Sequence, residues 1–255
     1  MIKREIQILL TSVMFYTRIP VPPTIKYSDE MLNKATRYFP FVGLIIGGIT
    51  ALIYYGLSFV FPVALAIVFS IAAGILFSGA FHEDGFADVC DGFGGGWTKQ
   101  ERLSIMKDSR IGTYGTVGLI LILLTKFICL NELPVKTLPL IMIAAHSFSR
   151  FVPVITIFFG KYAREDLTSK VKPIGNKIGV GGFIFSFIVG ILPLFLFKNW
   201  LFILATIIPL IIGFAFMPYF NKRIGGYTGD CLGAIQQVCE ICVYISFVLL
   251  FKFLV

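Results

Sequence analysis

The chain is built from long apolar runs separated by short polar stretches. A helix that crosses the hydrocarbon of a bilayer needs about 20 mostly apolar residues. Runs of that kind cover Phe39–Phe59, Pro62–Phe81, Tyr114–Leu133, Leu138–Phe159, Gly179–Phe197, Trp200–Phe220 and Leu232–Val255. Pro62 stands at a run's start, where a helix does not miss its N–H. Gln236, Gln237 and Glu240 interrupt the first half of the last run. Ahead of the first run, the spacing of Ile6, Leu9, Leu10, Val13 and Met14 predicts an amphipathic helix lying on a membrane surface. With Lys3, Arg4, Glu5 and Arg18, Met1–Ile19 is too charged for a cleavable signal peptide, and its apolar run is too short. The predicted fold class is all-α: one integral membrane domain over residues 1–255, a polytopic bundle of about seven transmembrane helices plus the N-terminal amphipathic helix.

Composition strengthens this reading. The chain is 57% hydrophobic with mean hydropathy +0.88, and it holds 27 Phe against 14 acidic residues. Cys90, Cys129, Cys231, Cys239 and Cys242 form no matched pair of CxxC motifs and sit in or near apolar runs, so they read as buried structural thiols rather than disulfides or zinc ligands. The net charge of +8 alone would admit nucleic acid as a partner, but its distribution argues for topology and anionic lipid instead. Seventeen Lys and Arg fall in the N-terminal segment, Lys99–Arg110, Lys161–Lys177 and Lys222–Arg223; three (Lys136, Lys198, Lys252) fall in the alternating segments, and Lys126 and Arg150 lie inside runs. The positive-inside rule then puts the N terminus and the charged loops in the cytoplasm and the C terminus outside; the membrane expected is a prokaryotic inner membrane. The pattern calls for a lipid bilayer and no nucleic acid, and it is compatible with a homo-oligomer.

Six of the acidic residues fall between Glu83 and Asp108. Asp84, Asp88 and Asp91 are spaced i, i+4, i+7, which on a helix confines them to an arc of about 60°. Like charges so placed repel one another unless a cation sits among them. Carboxylate oxygens suit a hard ion such as Mg²⁺ or Mn²⁺. Gly85, Ala87 and Gly92 allow a backbone or a phosphate to come close. The cluster begins where the second run ends, at the cytoplasmic interface, where a metal-bound diphosphate is open to in-line attack. The following stretch adds Lys107 and Arg110 as phosphate contacts and Asp108 as a further metal ligand.

Arg150 falls near the middle of the fourth run, where an unpaired charge is costly, so it should face the bundle interior and meet a carboxylate or a substrate phosphate. His146, one turn earlier, reads more simply as a core histidine. In Gly225-Gly-Tyr-Thr-Gly-Asp230, Asp230 either caps the last helix or, with Glu240, completes the polar cavity opened by the Asp cluster.

Taken together, these segments resemble the cobalamin synthase family (cobalamin-5′-phosphate synthase, or adenosylcobinamide-GDP ribazoletransferase). The matching motifs are His82-x-Asp84-Gly85-x-x-Asp88-x-x-Asp91-Gly92 and Ile105-Met-Lys-Asp-Ser-Arg-Ile-Gly-Thr-Tyr-Gly115. Phe15-Tyr-Thr-Arg-Ile-Pro20, Ala-His-Ser-Phe-Ser-Arg150, Tyr162-Ala-Arg-Glu and Gly226-x-Thr-Gly-Asp230-x-Leu-Gly-Ala234 add to the likeness, in a fixed order from end to end. The resemblance implies a polytopic enzyme that joins adenosylcobinamide-GDP to α-ribazole or its 5′-phosphate, with Mg²⁺, and releases GMP. It implies Asp84, Asp88, Asp91 and Asp108 as the catalytic and metal-diphosphate residues. Glu83, on a variable position of the motif, is kept as a metal candidate; His82 and Asp230 join Lys107, Arg110 and Arg150 as substrate contacts.

Two other readings compete. A CDP-alcohol phosphotransferase would carry D-x-x-D-G-x-x-A-R followed by a second Asp pair, and neither feature is present. A transporter would place charge at the midplane and show repeated halves; here most charge lies at one face and no repeat is visible.

Overall fold

A computed structural model describes residues 2–23, 28–163 and 177–254. Most of the basic Lys161–Lys177 loop, with Arg164 and Glu165 of the Tyr162-Ala-Arg-Glu segment, lies outside the described residues. The chain runs α1 (Ile2–Tyr16), α2 (Asp29–Ala35), α3 (Phe39–Leu57), α4 (Val63–Ser78), α5 (Phe81–Gly95), α6 (Lys99–Ile105), α7 (Thr113–Glu132), α8 (Leu138–Phe159), α9 (Val180–Ile191), α10 (Ile207–Ile224) and α11 (Gly229–Phe253). Among the described residues, six helical segments are long and apolar enough to cross a membrane, or seven if the bent pair of α4 and α5 is counted as one span. The expected all-α polytopic bundle is what is observed.

The core is α8, almost wholly buried, with α3 and α11 against it. Gly43 and Gly47, in a G-x-x-x-G spacing, let α3 meet α8 backbone to backbone: a Cβ on Gly47 would lie 2.8 Å from the Ile143 Cα. In lipid, where apolar tails offer no hydrophobic drive between helices, such close approach is what holds them together. At the perimeter, α7, α9 and α10 turn Ile120, Leu121, Leu124, Ile184, Ile188, Ile211 and Phe214 outward, as helices facing acyl chains do.

Four details differ from the sequence pattern. First, the second span ends at Ser78 rather than Phe81, because Gly79 (φ 68°) and Ala80 (φ 56°) are both left-handed. The chain then turns 88° into α5, so the acidic segment is a helix lying across the end of the bundle. Second, Pro193 cannot continue α9, and Leu192–Phe197 and Trp200–Thr206 wind as 3₁₀ segments on either side of the turn. Third, α11 starts at Gly229 and runs unbroken through Gln236, Gln237 and Glu240, whose side chains are buried. Fourth, α1 does more than lie at a surface: it buries Ile8, Thr11, Ser12, Val13 and Tyr16 against the protein and leaves Ile6 half exposed.

Candidate active site

The carboxylate helix α5 is held on two sides. Against α11 the crossing is tight: a Cβ on Gly85 would sit 3.0 Å from the Asp230 Cα, and one on Gly233 would sit 3.2 Å from the His82 carbonyl oxygen. Against α7, the Asp91 carboxylate accepts from the Gly112 N–H at 2.7 Å and the Gly115 N–H at 2.8 Å. Those amides open α7, whose first turn has no intrahelical partners for its N–H groups, so Asp91 satisfies them across the fold. The outcome is graded exposure along one helix face: Asp84 is exposed, Asp88 half-buried and Asp91 buried.

By fixing the start of α7, Asp91 also ties the Lys107–Gly112 loop to the end of α5. Within that loop Arg110 grips Asp108, with Nη2 2.6 Å from Oδ2 and Nε 3.0 Å from Oδ1. This bonding, helped by the Arg110 backbone N–H, holds the Asp108 carboxyl down at about 2. The preceding helix α6 is started by a capping box between Thr98 and Glu101. It docks on α5 and α10 through Arg102, whose guanidinium lies 5.9 Å from the Phe93 ring and donates to the Arg223 carbonyl.

At the start of α11 the cap is Thr228 rather than Asp230. The Thr228 Oγ1 accepts from the Cys231 N–H at 3.3 Å and donates to Asp230 Oδ2 at 3.2 Å. Asp230 is thus set in the first turn beside Gly85, on the flank of the α5 carboxylates. His82 lies under the site rather than in it: it is buried, its ring 5.4 Å from that of Phe39 and 6.5 Å from that of Tyr16, and among the described residues neither ring nitrogen has a hydrogen-bond partner.

Behind α5 lies a second polar assembly inside the bundle. Glu240 pairs with Lys126 Nζ at 3.0 Å, faces His146 Nδ1 at 3.6 Å and accepts from Gln236 Nε2 at 2.7 Å. Gln237 Nε2 donates to Glu83 Oε1 at 2.9 Å, so this assembly reaches α5 from the inner side. Arg150 faces the interior as expected, donating to the His146 carbonyl oxygen at 2.9 Å, with its guanidinium 5.9 Å from the Phe39 ring. Glu83, Lys126, His146, Arg150, Gln237 and Glu240 line a cavity of about 20 Å³, room for about one water. Glu83 therefore points into the bundle, away from the face that carries Asp84. Lys126 belongs here too; its one signal in the sequence is a lysine amid apolar residues, and His146 is a member of the network rather than an isolated core histidine. Of the five cysteines, four are buried and Cys90 is half-buried, and all are free thiols.

Among the described residues, no group of three or more His, Cys, Asp or Glu side chains is gathered closely enough to hold a metal ion unaided. That arrangement still fits Mg²⁺, which is commonly held by one or two carboxylates with substrate phosphates completing its shell. Asp84 and Asp88, a turn apart at the accessible end of the face, offer such a pair of hard donors.

Comparison with known proteins gives one consistent answer. The family model for cobalamin-5-phosphate synthase matches residues 8–248. Adenosylcobinamide-GDP ribazoletransferase of Shewanella frigidimarina is 42% identical over 255 aligned positions, covering 95% of this chain and 94% of the relative. The enzymes of the same name from Shewanella oneidensis and Shewanella putrefaciens are 41% and 39% identical, covering 97% and 95% of this chain and 95% and 94% of theirs. No solved structure matches. With a full-length match of this kind, the chain belongs to the cobalamin-5-phosphate synthase family.

Proposed function

We propose that this chain transfers the phosphocobinamide part of adenosylcobinamide-GDP to α-ribazole or its 5′-phosphate and releases GMP, with Mg²⁺ as cofactor. The observation that carries the reading is α5 itself. It is a carboxylate-bearing helix laid at 88° across the end of a span and joined through Asp91 to the loop holding Lys107, Asp108 and Arg110. In the reaction a ribazole hydroxyl attacks the phosphorus that bears the cobinamide. A new P–O bond forms, the diphosphate P–O bond breaks, GMP leaves with that electron pair, and the hydroxyl proton passes to an α5 carboxylate.

Asp84 and Asp88 would hold Mg²⁺ near the substrate diphosphate, where bound metal would supply neutralisation of the charge on the departing GMP. Lys107 and Arg110 approach the same phosphates from the loop; Asp108 keeps Arg110 extended in one orientation. Asp91 orients α7 and the loop. Arg150 and Glu83 lie behind this surface and support it. The excess of basic residues on alternate loops supports a cytoplasmic N terminus and a cytoplasmic catalytic face in a prokaryotic inner membrane, with the C terminus outside.

The test is GMP release by detergent-solubilised protein given adenosylcobinamide-GDP and α-ribazole, with and without Mg²⁺. We expect Mg²⁺-dependent GMP together with a completed cobalamin, and loss of both in Asp88→Asn at unchanged folding. GMP release by Asp88→Asn at the wild-type rate would remove α5 from the mechanism.

A further inference from the structure

A separate cavity of about 290 Å³ opens between the ends of α8 and α10 and the Gly226–Tyr227 turn. Its walls include Phe159, Met217, Phe220 and Tyr227, with Thr156, Lys161 and Asn221 as polar points. The turn is fixed from below: the Tyr227 N–H donates to the Lys161 carbonyl at 2.9 Å, and the Ala163 N–H donates to the Tyr227 carbonyl at 2.8 Å. Gly226 must be glycine here, since its φ is 147° and a Cβ would lie 3.2 Å from the Ala163 nitrogen. Thr156 is 2% exposed, and its hydroxyl has no hydrogen-bond partner among the described residues. Buried hydroxyls are seldom left unmatched without a reason.

The cavity adjoins the carboxylate helix. Phe220, which lines it, packs its ring 5.5 Å from that of Phe93 on α5. From Gly226 the chain reaches Asp230, against Gly85, in four residues, about 14 Å at full extension.

Resting on the function proposed above, the geometry points to this cavity as the site for the acceptor's base: a planar bicyclic azole, the base of α-ribazole. Size excludes the other large moiety, because the volume is at the low end of the roughly 300–1,000 Å³ of small-ligand pockets and far too small for a corrin ring. Chemistry separates it from guanine. Guanine presents adjacent N–H donors that call for a carboxylate, and among the described residues the lining contains none. An N-ribosylated azole presents apolar faces and a single acceptor nitrogen, which needs aromatic walls and one donor. Phe159, Phe220 and Tyr227 supply the walls, and the buried Thr156 hydroxyl is the donor on the inner wall, with Lys161 and Asn221 also in the lining.

Thr156→Val keeps the shape and removes the donor; Asn221→Trp fills the exposed rim and leaves the buried wall alone. Both are assayed for the KM of each substrate and for thermal stabilisation of the solubilised protein by α-ribazole alone or GMP alone. We expect the KM for α-ribazole to rise about five- to ten-fold in Thr156→Val and more in Asn221→Trp. The KM for adenosylcobinamide-GDP should stay unchanged, and stabilisation by α-ribazole should be lost in Asn221→Trp. An unchanged α-ribazole KM in both variants overturns the assignment. So does a loss of GMP stabilisation in Asn221→Trp with α-ribazole stabilisation intact, which would make the cavity a guanine site. If Thr156→Val does not fold, Asn221→Trp decides alone. A wild-type protein that α-ribazole stabilises but that releases no GMP would refute the reaction while supporting the cavity.

Discussion

Removing the charge of Glu240 tests what the polar assembly in the bundle contributes. Glu240 is 1% exposed and its partner Lys126 has a side chain 6% exposed, with 3.0 Å between them. Glu240→Gln keeps the shape and much of the hydrogen bonding but leaves the Lys126 ammonium buried without its counter-charge. Stranding one member of a buried ion pair costs about 3–5 kcal/mol. For a chain of this size each kcal/mol shifts Tm by about 2–4 °C, so the expected fall is roughly 6–20 °C in detergent. Lys126→Met alone strands the Glu240 carboxylate and should cost a similar amount. The double variant Lys126→Met/Glu240→Gln removes both charges of the pair and should recover much of the loss, giving a coupling energy of about 2 kcal/mol or more across the cycle. Unfolding followed by intrinsic fluorescence measures all four proteins. A Tm for Glu240→Gln within 2 °C of wild type, or a double variant no better than the sum of the singles, would refute the argument that this pair is held together by charge.

Three further outcomes follow from the geometry. Gly43→Leu drives a side chain into the α8 backbone at His146 and Ser147; the protein should fail to accumulate as a folded monodisperse species, whereas Gly48→Leu, with open space around it, should behave as wild type on size exclusion. Asp91→Asn trades a charged acceptor of two backbone N–H bonds for a neutral one; it should lower stability by about 1–3 kcal/mol and increase amide exchange at Gly112 and Gly115. The third concerns pH. The Asp108 carboxyl is lowered to about 2 by Arg110, so any stability it lends is fully present above its unfolded value near 3.8 and is lost only as pH falls through about 2. The residual GMP release of Asp108→Asn should therefore show the same acid-limb midpoint as wild type, and a midpoint shifted by a full unit would contradict the pairing seen here.

How much of this could be read from the chain divides along physical lines. The spans were legible because lipid demands length and apolarity, and both are local properties. The helical register of Asp84, Asp88 and Asp91 was legible for the same reason, since spacing is local. Their separate environments were not. Asp91 is buried because the N terminus of a helix beginning more than 20 residues later needs an acceptor. The bend before α5 was hidden because Ala80 gives no sign of a left-handed backbone and the apolar run continues past it to Phe81. Lys126 alone cannot be assigned a role, because its meaning depends on Glu240, in a span far along the chain. Glu83 read as a fellow of Asp84; being adjacent on a helix, the two point about 100° apart, and that rotation sends Glu83 to Gln237.

That rotation explains why the site and the bundle interior are built from one helix. A helix running straight on from α4 would have left the acidic residues in water, far from the buried polar groups of α8 and α11. Turning by 88° lays α5 along the end of α11, where Gly85 and Gly233 remove the side chains that would hold them apart. One face of α5 then presents Asp84 and Asp88 outward, while the adjoining face sends Glu83 into the network of Gln237, Gln236 and Glu240. Charges buried among spans are expensive unless paired, and here the pairing also fixes the rotation of α5 about its own axis. A few degrees of that rotation move a carboxylate at the end of its side chain by a substantial fraction of an ångström, the scale on which phosphate chemistry depends. The buried pairs thus connect the stability of the bundle to the aim of its catalytic face, and variants that disturb the first should lower turnover before they unfold the protein.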